Sequence, residues 1–167
     1  MTRILISTSR RYAPPGTPSG HLFVYNLADD IILRKCKIIE PPYRDADPNP
    51  RGGVRGLKGI SIKDHQIAIA NASTVFVFDH LWNPVTHFWH PSCAGIHDIE
   101  LDEENELVWI SSSRNDLLIS LDFNGTVRNY TDLRSFPTIQ KLSKRKIKPF
   151  LTDQQIIQGA INFRDPR

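Results

Sequence analysis

Two neighbouring side chains, His97 and Asp98, are the pair in this sequence best suited to chemistry. An imidazole changes charge near neutral pH and is a common metal ligand, so His97 is a candidate general base or ligand with Asp98 beside it. Both are taken as candidate catalytic residues, and no metal or cofactor is assigned. Adjacent residues of a regular strand point to opposite faces, so the two can serve one site only if the strand is irregular there. Bonding to loop backbone is the commoner use of such a pair. Around them, Arg55, Lys58, His90 and Arg114 are candidate ligand-binding residues. Arg10, Arg11, Arg44 and Arg51 fall in loops of the same kind, and planar guanidinium forks suit carboxylate or phosphate. Glu40, Asp45, Asp47 and Asp116 share those loops and offer a competing arrangement of surface ion pairs worth little.

Other chemistries lack their residues. No GxGxxG, Walker loop, GxSxG, HExxH or EF-hand pattern is present, so nucleotide hydrolysis, serine esterase and zincin activity have no support. The basic run KLSKRKIK (141–148) reads as a solvated loop that an acidic partner could use. Nucleic acid is disfavoured as a partner because no aromatic platform is interleaved with the basic residues. Trp82, Trp89 and Trp109 read as packing residues, with Trp109 wedged between sheets, and His21, His65, His80 and His87 are given no role.

The elements that must position the candidates are strands. Apolar residues alternate with period two in short bursts, as in Val75 and Val77 before Asp79, or Leu117, Ile119 and Leu121 before Asp122. Segments 56–89 and 95–130 superpose as four strands each: one opened by Gly and Ile, a polar turn, a second, a gap, a third closing on Asp, a turn and a fourth. Ile60 and Ile99 correspond, 39 residues apart. A repeat of this length holding four strands is the unit of a β-propeller, in which each small sheet buries its faces only against neighbours. The sequence therefore predicts an all-β fold, a half propeller of about three four-stranded blades. A β-sandwich is the alternative, and it would not require the repeat.

The first blade (3–38) has its second, third and fourth strands in RILISTS (3–9), GHLFVYN (20–26) and IILRKCKI (31–38), and lacks an inner strand. Blades two (56–89) and three (95–131) follow, then a long basic loop (132–158) and a closing strand (159–165). There INFRD (161–165) matches ISIKD (60–64) and IELDE (99–103), the inner strands of the other blades. The twelve prolines are placed in turns, loops or the tail. On these residues the chain resembles six-bladed propellers of the NHL-repeat and lactonase-like kind. That architecture hosts lactonases, lyases, sulfotransferases and binding proteins. The His-Asp pair opening an inner strand faintly resembles that of some propeller sulfotransferases, but the rest of their catalytic set has no counterpart here.

Connections alternate between the two ends of such strands. Short turns (28–30, 63–65, 81–84, 102–105, 124–125) share one end. The long insertions (10–19, 40–55, 90–94 and 132–158) share the other, at the mouth of the central channel, where function is expected. Three blades leave two open faces, so a second copy or a second propeller-forming chain is expected to close the ring, INFRD completing the blade begun by RILISTS. The chain has 167 residues, 40% apolar, a charge of +3 and two separated cysteines, Cys36 and Cys93. With no apolar run of membrane-spanning length, a cytoplasmic protein is expected. The leading functional reading is a module binding a small anionic ligand or a protein at the long-loop face. The alternative is a lactonase-like or lyase-type enzyme, with or without a metal, centred on His97.

Overall fold

A computed structural model describes residues 2–10, 17–18, 20–38, 57–93, 95–113 and 115–142. These form eleven strands: β1 Arg3–Ser7, β2 Gly20–Asn26, β3 Ile31–Ile38, β4 Ile60–Ile62, β5 Gln66–Ala70, β6 Thr74–Asp79, β7 Pro84–Trp89, β8 Ile96–Asp102, β9 Leu107–Ser112, β10 Leu117–Asp122 and β11 Val127–Asp132. They make three antiparallel meanders: a first sheet β1-β2-β3, a second β4-β5-β6-β7 and a third β8-β9-β10-β11.

The repeat in the sequence has a physical cause at the end of each third strand. Asn26, Asp79 and Asp122 stand there, and the Oδ1 of each accepts a backbone N–H two residues on, from Ala28 (3.1 Å), Leu81 (2.8 Å) and Asn124 (3.0 Å). Asp79 and Asp122 also accept from Asn83 and Thr126, so one carboxylate organises the whole turn into the fourth strand. In all three sheets the register shifts by a bulge just before this residue, between Val24 and Tyr25, Val77 and Phe78, and Ser120 and Leu121.

The sheets stack face to face. Leu22 of the first packs with Ile67 and Ile69 of the second, joined by the half-buried Leu5, Cys36, Phe76 and Phe78. The other face of the second sheet, Ala68, Ala70, Val75, Val77 and Phe88, packs on Ile99, Leu101, Val108, Ile110, Ile119 and Leu121 of the third. Because β5 is covered on both sides, its alternation is between large and small apolar residues rather than apolar and polar. Four-stranded meanders stacked in this way are the blades of a β-propeller.

Some expectations are corrected. Pro84 begins β7 instead of ending a turn, which the missing N–H allows at the first residue of an outer strand. Part of the stretch read as loop after residue 132 is regular: a 3-10 turn, Leu133–Ser135, capped by Asp132 accepting from the Arg134 N–H, and a short helix α1, Pro137–Leu142, with proline at its first position. Trp109, expected between sheets, stands half-buried on the face of the third sheet turned away from the second, with no further sheet over it among the described residues. The segment 161–165, read as a closing inner strand, lies outside the described residues. So do 143–158, and the first sheet has three strands among those described.

Candidate functional site

The inner strands β4 and β8 run side by side where the second and third sheets meet, and Gly59 sets their spacing. A Cβ at Gly59 would lie 3.1 Å from the Ile99 backbone nitrogen and 3.3 Å from the Asp98 carbonyl carbon, so any side chain there would push the strands apart by a few tenths of an ångström. Just before that contact, Lys58 leaves the second sheet, its backbone N–H bonded to Ala70 O at 2.8 Å.

Opposite, β8 carries one extra residue. Ile96 pairs with Ser112 and Ile99 with Ile110, so three steps on β8 face two on β9. The bulge falls on His97 and Asp98, and both side chains are exposed while Ile96 and Ile99 stay buried. This is the irregularity that lets neighbours share one side of a strand. Ser111 holds it: its Oγ accepts from the Asp98 N–H at 2.9 Å and donates to the Asp98 carbonyl at 3.2 Å. The Asp98 Oδ1 accepts from the Ile99 N–H at 3.0 Å.

The bulge brings His97 to Lys58, with Nε2 and Nζ 3.2 Å apart across the sheet boundary. An ammonium has only donors, so Nε2 of a neutral His97 accepts and its ring proton sits on Nδ1. The arrangement offers an ammonium, an imidazole and a carboxylate where β8 begins, at the boundary of the second and third sheets. In this geometry the Nε2 lone pair is occupied, so a base or ligand role through that atom requires Lys58 to move away.

The remaining candidates separate. His90 is half-buried, and its Nδ1 accepts from the Ser92 N–H at 3.1 Å, shaping the turn that leads to the third sheet. Arg55 and Arg114 lie outside the described residues, as do Arg11, Arg44 and Arg51. Among the described residues no three His, Cys, Asp or Glu side chains gather into a metal-binding set, and no helix is long and apolar enough to cross a membrane.

The sequence reading missed the opposite end of β4 and β8. There a concavity of about 490 Å³ is lined by Lys63, Asp64, Glu100, Asp102, Glu103 and Trp109, among others. Lys63 bonds Glu100 across the boundary at 2.6 Å, and Ser61 links Glu100 to the Leu101 N–H. The hydrogen bond from Lys63 holds the Glu100 carboxyl below its usual range and raises the Lys63 ammonium in turn. The signal for this contact was present as Ser61–Lys63 and Glu100 in equivalent strands, but nothing in spacing shows that the two strands touch.

No protein-family model and no curated protein matches the chain. Among solved structures it is similar to the WD40 domain of Neurospora crassa Pan2, with a TM-score of 0.53 and 11% identity, over 78% of this chain and 34% of that one. It is also similar to the β-propeller domain of Myceliophteria thermophila Cps50 (Swd1), with a TM-score of 0.48, 14% identity and coverage of 83% and 44%. For Myxococcus xanthus glutaminyl cyclase the TM-score is 0.48, with 7% identity and coverage of 78% and 57%. The chain spans less than two thirds of each of these structures. The Pan2 likeness and the three stacked meanders define the class of the fold, a partial β-propeller.

Proposed function

We propose that the chain is a binding module that closes into a ring with further propeller sheets and takes an anionic ligand, or an acidic segment of a protein, at the channel mouth. The observation that supports this reading is the contact of Lys58 with His97 across the boundary between two sheets, beside the bulge that exposes both His97 and Asp98. An anion entering there replaces a nitrogen-to-nitrogen contact with charge-assisted hydrogen bonds, which are about twice as strong as neutral ones. Glutamate-rich peptide and inorganic phosphate are suitable probes. Either should raise the thermal midpoint of the wild-type protein, and Lys58→Met combined with His97→Ala should abolish the shift. An unchanged shift in the double variant would exclude the mouth as the anion site.

The bulge also favours a second reading, a lactonase-like or lyase-type enzyme, since it leaves an imidazole and a carboxylate exposed next to each other on β8. Turnover of a simple γ-lactone that is lost in His97→Ala but kept in Lys58→Met would establish that reading over the first.

A further inference from the structure

Register makes the three sheets comparable residue by residue. Asn26 pairs with Arg3, Asp79 with Gln66 and Asp122 with Leu107, so the second and third strands of every sheet can be counted from the same point. Call the face toward the preceding sheet leading and the other trailing. On the second sheet the leading face is Ile67, Ile69, Phe76 and Phe78, packed under the first sheet. Its counterparts on the third sheet, Val108, Ile110, Ile119 and Leu121, are all buried against the second. On the first sheet the same four positions hold Ile4, Ile6, Phe23 and Tyr25, of the same large apolar type.

Those four have no sheet over them among the described residues. Ile6 is 37% exposed, and Ile32, paired with Tyr25, is 55% exposed. The opposite end of the arc shows the complement. Trailing positions filled by Ala68, Ala70, Val75 and Val77 in the second sheet are Trp109, Ser111, Leu118 and Ser120 in the third. There Trp109 is half-buried and Leu118 is 39% exposed. At the junction of the second and third sheets a trailing face of smaller side chains receives a leading face of bulky ones. The third sheet's trailing face mixes Ser111 and Ser120 with Trp109 and Leu118, while the first sheet's leading face keeps the Ile-Phe-Tyr type, so the two open faces continue the sides of the sheets that carry the established interfaces.

We propose that the leading face of the first sheet seats the trailing face of the third sheet of a second copy of this chain. A two-fold axis repeats the junction, so three sheets from each copy close into a ring of six and both open faces of each copy are buried. This deepens the assembly part of the proposed function and rests on it. It also leaves the Lys58–His97 mouth of each copy facing its equivalent around one channel.

Light scattering on the full chain should give twice the monomer mass of 19.1 kDa. Ile6→Lys and Leu118→Glu should each weaken association at least tenfold. Mixing the two variants in equal amounts should restore a dimer, because one junction is then wild type and the other sets lysine against glutamate. Recovery on mixing is a result that misfolded variants could not produce. If either variant fails to fold, amide exchange of the wild type on dilution serves instead, with protection expected to fall in β1, β2, β9 and β10 and not in β5. A cooperatively folded monomer, a dimer untouched by both substitutions, or protection that does not change on dilution would overturn the proposal. Phosphate stabilisation measured on the monomeric Leu118→Glu chain separates the two readings, since a site confined to Lys58 and His97 keeps it whether or not the ring forms.

Discussion

At the scale of single residues, one serine decides what His97 and Asp98 can do. On a regular strand one of them would face the core, and Ser111, by bonding both the N–H and the carbonyl of Asp98, stabilises the extra residue at which both stay exposed. The spacing of buried residues along β8 carries a trace of this: Ile96, Ile99 and Leu101 are three and then two apart, where an unbroken strand would keep to two. The identity of the bulge was therefore partly legible, but the contact with Lys58 was not, because it joins residues 39 apart on different sheets. The contact predicts a tautomer. Nitrogen-15 spectra at neutral pH should show His97 protonated on Nδ1, and Lys58→Met should shift the population toward the Nε2–H form. A wild-type ring already protonated on Nε2 would show that the two side chains do not meet in solution.

At the scale of elements, the recurring Asn or Asp at the end of the third strand builds the turn that follows. Asp122 is the more enclosed of the two carboxylates, with 8% of its surface exposed. Burial is the largest influence on its carboxyl and acts to raise it, but the Thr126 and Asn124 N–H groups and the Arg128 guanidinium together outweigh burial and hold it below the usual range. Arg128 reaches the second oxygen at 2.8 Å. Asp122→Ala removes all of these acceptors at once and should cost about 2–3 kcal/mol in urea unfolding, since hydrogen bonds to a charged group are worth about 1.5–3 kcal/mol and two backbone donors lose their partner. Asp122→Asn should recover much of the loss, because a side-chain carbonyl can still cap the turn, as Asn26 does in the first sheet. Equal loss in both variants would mean that the charge, not the cap, carries the effect.

At the scale of the whole molecule, the same carboxylates set the acid limit. Asp79, Glu100 and Asp122 all titrate below their ordinary values: Asp79 through bonds from Asn83, Glu100 through Lys63, and Asp122 through its turn. A depressed carboxyl stabilises the fold above its unfolded value of about 4 and stops doing so as pH falls through its lower folded value. Stability should thus be flat from pH 7 to about 5 and decline below about 4. Replacing Lys63 with Met should shrink the part of that decline that comes from Glu100. A midpoint that does not respond to pH in that window would show that these bonds do not persist in solution.

Much of this protein could be read without coordinates. Alternation, the closing Asp and the 39-residue offset between Ile60 and Ile99 determined that the chain is all-β and built of stacked four-stranded units, because strand period and turn chemistry are local properties. Which end of the strands receives the long connections followed from antiparallel order alone. Tertiary structure decided the rest: that Lys58 occupies the Nε2 of His97, that Lys63 and Glu100 meet at the opposite end, and that Trp109 has no sheet over it among the described residues. The reason is the same in each case. These relations hold between strands of different sheets, and the distance between two sheets is set by the side chains packed between them, which no periodicity within one strand contains.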